Sequence, residues 1–550
     1  MKESPGRRSF LKTLGIGGIT ATVAPTDLLK HKKGLKDSAD TPLKDVFNSD
    51  APGRPFNGVY KNEYLTRLAF PIGGLGAGMF CLEGTGAISH MSVRNKPDVF
   101  NEPGLFAAIC VKDLQYGAKV LEGPAPDWKK FGRPDSGNGS GGTIYGLPRF
   151  HSAEFETRFP FGLISLADKD MPLKVKIEGW SPFIPGDADN SGLPCGALEY
   201  SFTNTGTKTI QSVFSFNSRN FMAAGDVKNS IKKIKNGFVL SCDGTKEKPQ
   251  LQGDVAIYTD QGETMIDHCW FRGGWFDPLT ITWETIRSGN VKSVEPVDEG
   301  APGASLYVPF ALMPGHEKKI RLILAWYVPN TDIHIGEDVK QDENSDVPAG
   351  QCFTSADLGD AIADKNYTSG NYKPWYSKRF ADIYEVADYW KQHYDELQKK
   401  STLFKEAFYA STLPAEVTEA VAANLTILKS PTVMRQYDGR LWSFEGCGDN
   451  EGCCHGSCTH VWNYAQAIPH LFPLLERTLR HTEFCEDQNA EGHQTFRASL
   501  PSFIKFTICN FCSIYATIRY CFVSIFCNKF TIFNLDKDKI LLLCFAVHKN

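Results

Sequence analysis

The sequence predicts a multidomain protein of β and α structure, in which an N-terminal antiparallel β-sandwich precedes an α-helical domain. Its 550 residues exceed what one hydrophobic core usually supports, so more than one domain is expected. Apolar residues recur at every second position between residues 55 and 370, and at every third or fourth position from residue 371 onward. The composition then changes abruptly at residue 502. We therefore predict domains over 55–370 and 371–500, with 502–550 separate from both.

The N-terminus, RRSFLKTLGIGGITATVAP, resembles a twin-arginine export signal. Arg7 and Arg8 precede a weakly apolar run that is too short to act as a stable membrane anchor. On this interpretation residues 1–40 are signal and linker, and the folded protein is exported from a bacterium to the periplasm or the extracellular space. A basic tail without a targeting role is the alternative.

Alternating apolar residues predict the strands of the sandwich. They recur at every second position in LKVKIEGW and KKIRLILAWYVP, and the turn residues Asn204, Thr205 and Gly206 interrupt ALEYSFTNTGTKTIQSVFSF. This pattern is typical of antiparallel strands that cover a core. The glycine run PIGGLGAGMF lacks the G-x-G-x-x-G spacing of dinucleotide sites, and no amphipathic helix follows it. We therefore predict tight turns near a domain surface for this run.

The periodicity changes to that of helices near residue 372. The stretch RFADIYEVADYWKQHYDELQ predicts one buried helical face, made by Ile383, Val386, Ala387, Trp390, Tyr394 and Leu397. The following stretch, STLPAEVTEAVAANLTIL, predicts a second helix with Thr412 as its N-cap and Pro414 in its first turn. The segment VWNYAQAIPHLFPLLERTLRHTEF continues the helical pattern.

The last 49 residues differ in composition from the rest. No Gly, Pro, Trp or Glu occurs in 502–550, while all 49 glycines lie before it. We interpret this tail as sequence unrelated to the preceding domains, because its abundant Phe, Ile, Lys, Asn, Tyr and Cys are residues of AT-rich codons. A membrane anchor over FTICNFCSIYATIRYCFVSIFC is an alternative, although Asn510 and Arg519 would be costly in hydrocarbon. A native part of the core is the third interpretation, and membrane association stays open.

Charge excludes one class of partner. The net charge is −4, and no long run of one sign occurs, so the chain offers no basic surface for nucleic acid. We expect no nucleic-acid partner.

The stretch FEGCGDNEGCCHGSCTHVW, residues 444–462, is rich in cysteine. Cys453, Cys454 and Cys458 could be joined by His455 and His460 as zinc ligands, but the spacing C-C-x3-C has no second C-x2-C half. A redox centre is also disfavoured, because the segment contains no C-x-x-C. We expect structural disulfides or small buried thiols here, and neither a metal nor another cofactor.

The same stretch contains a carboxylate among aromatic residues. Glu445 lies near Trp442, Phe444 and Trp462, and flat apolar faces with one central anion suit a sugar ring and its oxocarbenium-like transition state. On the residues alone, a surface glutamate in a loop is the favoured interpretation.

Two segments carry a family resemblance. RLAFPIGGLGAGMFCLEGTGAISHMSVRNKP (67–97) and GRLWSFEGCGDNEGCCHGSCTHVWNYAQAIPHLFPLLERTLRHTEF (439–484) resemble glycoside hydrolase family 116, the family of the non-lysosomal glucosylceramidases and related bacterial β-glucosidases. The likeness extends over about 55–500. It implies an N-terminal β-sandwich followed by an (α/α)6 toroid. It also implies retaining hydrolysis of β-glucosides or similar bonds, with β-xylosides and glucosylceramide-like glycoconjugates among the candidate substrates.

The resemblance assigns roles to particular residues. Glu445 matches the nucleophilic glutamate of the family. An aspartate that binds sugar hydroxyls follows in the family, and the matching region here holds Thr459 and His460 after a cysteine-rich insertion. We therefore expect His460, together with Trp442 and Trp462, to contact the substrate. A histidine satisfied within the core is the alternative for His460.

The family's acid/base aspartate lies well over a hundred residues beyond the nucleophile, whereas the likeness stops near Leu500 and Pro501. The resemblance therefore implies an incomplete toroid and an inactive or impaired fragment that lacks the second carboxyl. A non-catalytic carbohydrate-binding or interaction module is the alternative function.

Overall fold

The computed structural model describes residues 53–130, 144–336, 370–457, 462–488, 492, 495 and 497–502. The predicted export signal, and all of the predicted tail except Ser502, lie outside the described residues and stay predictions. Within the described residues, no helix has both the length and the apolar character that a membrane span requires.

Most of the described secondary structure consists of β-strands. The strands are, in chain order, β1 (Tyr60–Lys61), β2 (Ala69–Gly74), β3 (Gly78–Glu83), β4 (Ile88–Ser92), β5 (Leu105–Val111), β6 (Ala118–Val120), β7 (Ser152–Arg158), β8 (Phe161–Ala167), β9 (Leu173–Trp180), β10 (Cys195–Asn204), β11 (Ile210–Arg219), β12 (Asn229–Ile234), β13 (Gly237–Cys242), β14 (Gly253–Thr259), β15 (Met265–Asp267), β16 (Gly303–Leu312), β17 (Glu317–Tyr327), β18 (Val433–Arg435), β19 (Leu441–Ser443), β20 (Gly446–Cys447) and β21 (Gly452–Cys453).

The helices are fewer. They are α1 (Asp127–Lys130), α2 (Ala188–Ser191), α3 (Pro278–Ser288), α4 (Tyr376–Arg379), α5 (Ile383–Tyr409), α6 (Ala415–Leu425), α7 (Trp462–Leu471) and α8 (Pro473–His481). Single turns of 3₁₀-helix cover Asn62–Leu65, Pro249–Leu251 and Thr426–Lys429, and a π-helical turn covers Thr482–Glu486.

Two large antiparallel sheets confirm the predicted strand type. The larger has the order β1-β7-β8-β9-β10-β17-β14-β13-β12, and the smaller has the order β15-β16-β11-β5-β6. Side chains of both sheets share one core, in which the Phe214 ring lies 5.0 Å from Tyr200 and 5.9 Å from Phe202. Strand β9 alternates buried and exposed residues along most of its length, as a strand with one covered face should.

The predicted break after β10 is an Asx turn. Asn204 ends this strand, its side-chain oxygen accepts the Gly206 N–H at 2.9 Å, and its amide donates to Lys208 O and Leu312 O. The chain thereby leaves the larger sheet and enters the smaller one at β11.

The glycine run forms the tight turn between β2 and β3, as predicted, but its predicted location at a surface is wrong. Gly76 has φ +73° and is buried, and a Cβ at this position would lie 2.6 Å from the Arg435 backbone nitrogen. The turn therefore contacts β18, far along the sequence, and glycine is needed there for both its conformation and its size.

Helix α5 confirms the predicted helix and its buried face. All six predicted apolar positions are buried: Ile383, Val386, Ala387, Trp390, Tyr394 and Leu397. This face packs on the larger sheet, where the Trp180 indole N–H donates to Tyr394 Oη at 3.0 Å and the Trp390 indole N–H donates to Gly196 O at 3.4 Å. The Asp382 side chain caps the helix by accepting the Tyr384 and Glu385 N–H groups.

The predicted start of the next helix is wrong by two residues. Helix α6 begins at Ala415, and its N-cap is Pro414 rather than Thr412. A proline disfavours helical geometry at the residue before it, so Leu413 does not begin the helix and the first helical residue follows Pro414. The domain bounds at 55–370 and 371–500 stay predictions.

Candidate active site

Glu445 lies directly after a short strand pair that the N-terminal part of the chain supports. Strand β19 pairs antiparallel with β18, and Met434 lies opposite Trp442. The backbone N–H of Glu445 then donates to Cys454 O at 3.1 Å, on the far side of the hairpin formed by β20 and β21. The hydrogen bond from Gly448 N–H to Glu451 O closes this hairpin at 2.8 Å.

The N-terminal region contacts this hairpin at one place and the preceding strand pair at another. The Val99 N–H, in the loop between β4 and β5, donates to Asp449 O at 2.7 Å. The turn at Gly76 packs closely against Arg435 in β18. The buried guanidinium of Arg435 lies 3.9 Å from the centre of the Trp375 ring and 2.8 Å from Asp189 Oδ1. These contacts fix the strand pair before Glu445 against the sheets.

The aromatic residues before Glu445 form a small core. Trp442 is fully buried, and its indole N–H donates to Ala498 O at 3.2 Å. The Phe444 ring stands nearly perpendicular to it, at 89° and 4.6 Å between centroids. A Cβ at Gly452 would lie 2.4 Å from the Phe444 ring, so the hairpin lies close over this side chain. In this structure Trp442 supports the strand from within, and its contact with a sugar stays a prediction.

The Glu445 carboxylate is ion-paired with Arg497. The Arg497 guanidinium donates to Oε1 of Glu445 and to the carbonyl oxygens of His455, at 3.1 Å, and Cys454, at 3.5 Å. The two side chains are 20% and 22% exposed, so the pair lies at the protein surface without being fully solvated. Backbone carbonyls that hold the guanidinium also hold the carboxylate in one place.

The cysteines of the hairpin are free thiols. Cys447 and Cys454 are exposed and Cys453 is half-buried, so the expectation of disulfides or buried thiols is wrong for these three residues. Cys453 Sγ and Cys454 Sγ lie 3.3 Å apart, which is a contact rather than a bond. Burial raises the pKa of the Cys447 thiol, and the hydrogen bond between the Cys453 and Cys454 thiols raises the pKa of Cys454.

The pKa of His455, which follows the hairpin, is also shifted. Burial, and then the nearby Arg497 guanidinium, lower the pKa of His455 below its ordinary value. A neutral imidazole is therefore favoured beside the Glu445–Arg497 pair.

Two of the predicted substrate contacts are not placed. His460 lies outside the described residues, as does Thr459. Trp462 begins α7, and its side chain also lies outside what the structure describes. Both assignments stay predictions.

One group of potential metal ligands occurs in the part of the chain that the structure describes, and it is remote from Glu445 in sequence. His151, Asp168 and Asp170 bring their ligand atoms within 4.8 Å of one another. Asp168 is already ion-paired with Lys119, and its Oδ1 accepts the Asp170 N–H at 2.9 Å. Lys119 therefore already balances the charge of Asp168, one of the three members of this group.

A family model described as beta-glucosidase 2, glycosyl-hydrolase family 116 N-terminal, matches residues 69–397, more than half of the chain. The chain belongs to this family. The resemblance predicted from the two sequence segments is thereby confirmed. Glu445 follows the matched range, so its assignment as nucleophile rests on the segment 439–484 alone.

Solved structures similar to this family 116 member share little sequence with it. A kojibiose phosphorylase from the human microbiome is 10% identical with a TM-score of 0.29, and the match covers 68% of this chain and 35% of that one. A bacterial glucoamylase complexed with acarbose is 10% identical with a TM-score of 0.37, covering 82% and 53%. A family GH92 α-mannosidase from Bacteroides thetaiotaomicron is 9% identical with a TM-score of 0.30, covering 79% and 49%.

The family 116 chain thus spans between about a third and a half of the length of these three proteins. At such TM-scores the likenesses support no statement about its site. A search of curated proteins finds no match to the chain.

Sequence reasoning missed Arg497 beside the candidate nucleophile of this family 116 chain. The residue lies 52 positions after Glu445, and neither a motif nor a period connects the two. The sequence GHQTFRASLP contains one arginine and no acidic residue, which indicates a charge with a distant partner. Only the fold shows that this partner is Glu445.

Proposed function

We propose that this protein is a glycoside hydrolase that cleaves β-glucosides, or closely related β-linked sugars, with retention of configuration. The observation that carries the proposal is its membership of family 116. β-Xylosides and glucosylceramide-like glycoconjugates are the other substrates of the proposal. The layout that accompanies it is a β-sandwich followed by helices of an (α/α)6 toroid.

Glu445 is the nucleophile in this proposal. Its carboxylate attacks the anomeric carbon, the glycosidic oxygen leaves with a proton from the acid/base carboxyl, and a covalent glycosyl-enzyme forms. Water activated by the same acid/base group then releases the sugar. A retaining mechanism places the two carboxyls about 5–5.5 Å apart. In the family this second carboxyl lies well over a hundred residues beyond the nucleophile, so the proposal takes this chain, whose likeness stops near residue 500, as a fragment that lacks it.

Arg497 has two effects on such a nucleophile. It fixes the orientation of Glu445 through Oε1, which limits the geometries from which the attack can begin. It also provides positive charge where the carboxylate charge returns when the glycosyl-enzyme breaks down. Because Cys454 O and His455 O hold the guanidinium, the hairpin and the nucleophile are positioned together.

The test uses a chimera that joins residues 41–500 to the C-terminal part of a full-length family member, so that an acid/base residue is present. In this chimera Glu445→Gln should lower turnover of aryl β-glucosides by several orders of magnitude, because the first covalent step is lost. A 2-fluoro glucosyl fluoride should add one glycosyl unit to Glu445, seen by mass spectrometry of the peptide.

Glu451→Gln is the matched control, since Glu451 is an exposed carboxylate on the same hairpin, and it should keep activity and labelling. Full activity of the chimera that carries Glu445→Gln would exclude Glu445 as the nucleophile. Retention of sugars on an affinity gel without turnover by the parent chimera would favour the binding-module alternative.

A further inference from the structure

The hairpin after Glu445 places two adjacent thiols side by side. Successive side chains of a β-strand point to opposite faces, so neighbouring cysteines in a regular strand keep their sulfurs apart. Cys453 ends β21, and Cys454 follows with φ +57°, in the left-handed region that residues other than glycine seldom adopt. This turn of the backbone breaks the alternation and leaves the two sulfurs 3.3 Å apart.

We propose that Cys453 and Cys454 form a reversible vicinal disulfide and are a redox modification site of this protein. The oxidant is a small-molecule disulfide. The thiolate of one cysteine attacks a sulfur of this molecule, forms a mixed disulfide and releases one thiol. The second cysteine then attacks the mixed disulfide, closes the Cys453–Cys454 bond and releases the second thiol. Two electrons pass from the cysteines to the oxidant, and both cysteine protons end on the released thiols.

Geometry makes such a bond labile rather than structural. A trans peptide keeps adjacent Cα atoms about 3.8 Å apart, whereas ordinary disulfides need about 4.4–6.8 Å between Cα atoms. A disulfide between neighbours is therefore strained, and strained bonds are the readily reduced ones. Cys454 is exposed and Cys453 is half-buried, so small disulfides and thiols can reach the pair.

The pair is connected to the Glu445 carboxylate through one carbonyl group. Cys454 O accepts the Glu445 N–H at 3.1 Å and the Arg497 guanidinium at 3.5 Å. Ring closure constrains the φ angle of Cys454, and a change in this angle moves the carbon and oxygen of its carbonyl group together. The redox state of the pair and the Glu445–Arg497 ion pair are thus coupled, and by linkage a change at either one shifts the other.

The consequence of this coupling for catalysis rests on the proposed function, so the test measures thiols and no sugar is present. The full chain is equilibrated in buffers of oxidised and reduced glutathione, alkylated before unfolding, and digested. The peptide that contains both cysteines should lose two hydrogens and two alkylation sites as the buffer becomes oxidising. Cys453→Ser and Cys454→Ser should each abolish this change, whereas Cys447→Ser, on the same hairpin, should retain it.

The coupling is tested by Arg497→Met and, independently, by Glu445→Gln. Each removes one side of the ion pair, and each should shift the thiol–disulfide equilibrium constant about tenfold, which is about 30 mV for a two-electron couple. Circular dichroism confirms that the variants are folded before the titration is interpreted. An unchanged midpoint in both variants would overturn the coupling.

Two results would overturn the proposed Cys453–Cys454 disulfide itself. One is a disulfide that joins either residue to another cysteine, and the other is a pair of thiols that stays reduced in fully oxidising buffer. None of these outcomes depends on hydrolysis. A chimera without glycosidase activity would therefore leave the thiol result intact, and the failure of one proposal is distinguishable from the failure of the other.

Discussion

Lys429 is a fully buried lysine beside the strand pair that leads to Glu445. Its ammonium donates to Ser181 O at 3.0 Å and to Ser181 Oγ, and it lies 5.6 Å from the centre of the Phe159 ring. Burial lowers the pKa of Lys429 to about 7. Ser181 also accepts the Gly73 N–H, so this lysine joins the glycine hairpin to the segment before β18.

The lowered pKa predicts a pH-dependent stability. The lysine binds its proton in the unfolded chain up to about pH 10.5 and in the folded chain up to about pH 7. Between these values the unfolded chain binds more protons, so the free energy of unfolding rises with pH by up to about 1.4 kcal/mol per unit from this group. The contribution is constant below this window and above it.

Lys429→Met removes the titrating group and should therefore be most stabilising, relative to the parent, at pH 7 and below. The advantage should shrink as pH rises from 7 to 10, which urea unfolding at several pH values would measure. Lys391→Met, at an exposed position on α5, is the control and should show no such trend. A constant difference between Lys429→Met and the parent across this range would contradict the lowered pKa.

At the residue scale the sequence directs attention to Glu445 but does not predict the contacts around it. Glu445 could be singled out because its neighbours resemble a family motif. Arg497 could not, because an ion pair across 52 residues depends on how two loops meet. The thiol contact was likewise unpredictable, since regular strand geometry separates adjacent side chains and only the left-handed Cys454 brings them together.

At the scale of elements, the hairpin of β2 and β3 links the sheets to the site. Gly76 needs φ +73°, which costs other residues about 1–2 kcal/mol, and it also lacks room for a side chain against Arg435. Gly186 has a similar φ of +84°, but an added Cβ there meets no atom within 4 Å. A side chain at Gly186 would therefore cost backbone strain alone, whereas a side chain at Gly76 would cost both strain and steric overlap.

Gly76→Ala should lower the free energy of unfolding by several kcal/mol, because strain and overpacking add. Gly186→Ala should cost only about 1–2 kcal/mol, from strain alone. Chemical denaturation of both variants measures the difference. Equal costs would show that the turn moves away from β18 without penalty and that the hairpin does not position this strand.

Apolar periodicity predicts a helix and its buried face, but it does not predict what that face packs against. Six apolar positions at helical spacing predicted α5 and its buried face, because a helix buries one stripe whatever it packs against. The partner of that stripe is a sheet, and no local pattern in either segment indicates the pairing. The start of α6 is displaced to Ala415 because proline disfavours helical geometry at the residue before it, which is Leu413.

At the scale of the whole molecule, contacts cross the predicted domain boundary at residue 370. Trp180 on β9 hydrogen-bonds Tyr394, the Phe183 N–H donates to Ser401 Oγ at 3.1 Å, and the Phe159 N–H donates to Tyr409 Oη at 3.1 Å. The three acceptors, Tyr394, Ser401 and Tyr409, all lie on α5. The larger sheet therefore has an apolar face that a fragment ending at 370 would leave without its cover.

Two fragments test where the stable unit ends. A fragment of residues 54–412 retains α5 and should unfold cooperatively, whereas 54–382 loses the helix and should bind a hydrophobic dye and melt over a broad range. Trp390→Ala within 54–412 should reproduce much of the defect, because removal of a buried tryptophan side chain costs about 3–5 kcal/mol. Tyr384→Ala is the control on the same helix, since this ring is 39% exposed and should tolerate truncation. If 54–382 were as cooperative and as stable as 54–412, α5 would belong with the helices that follow it and the boundary near residue 370 would be supported.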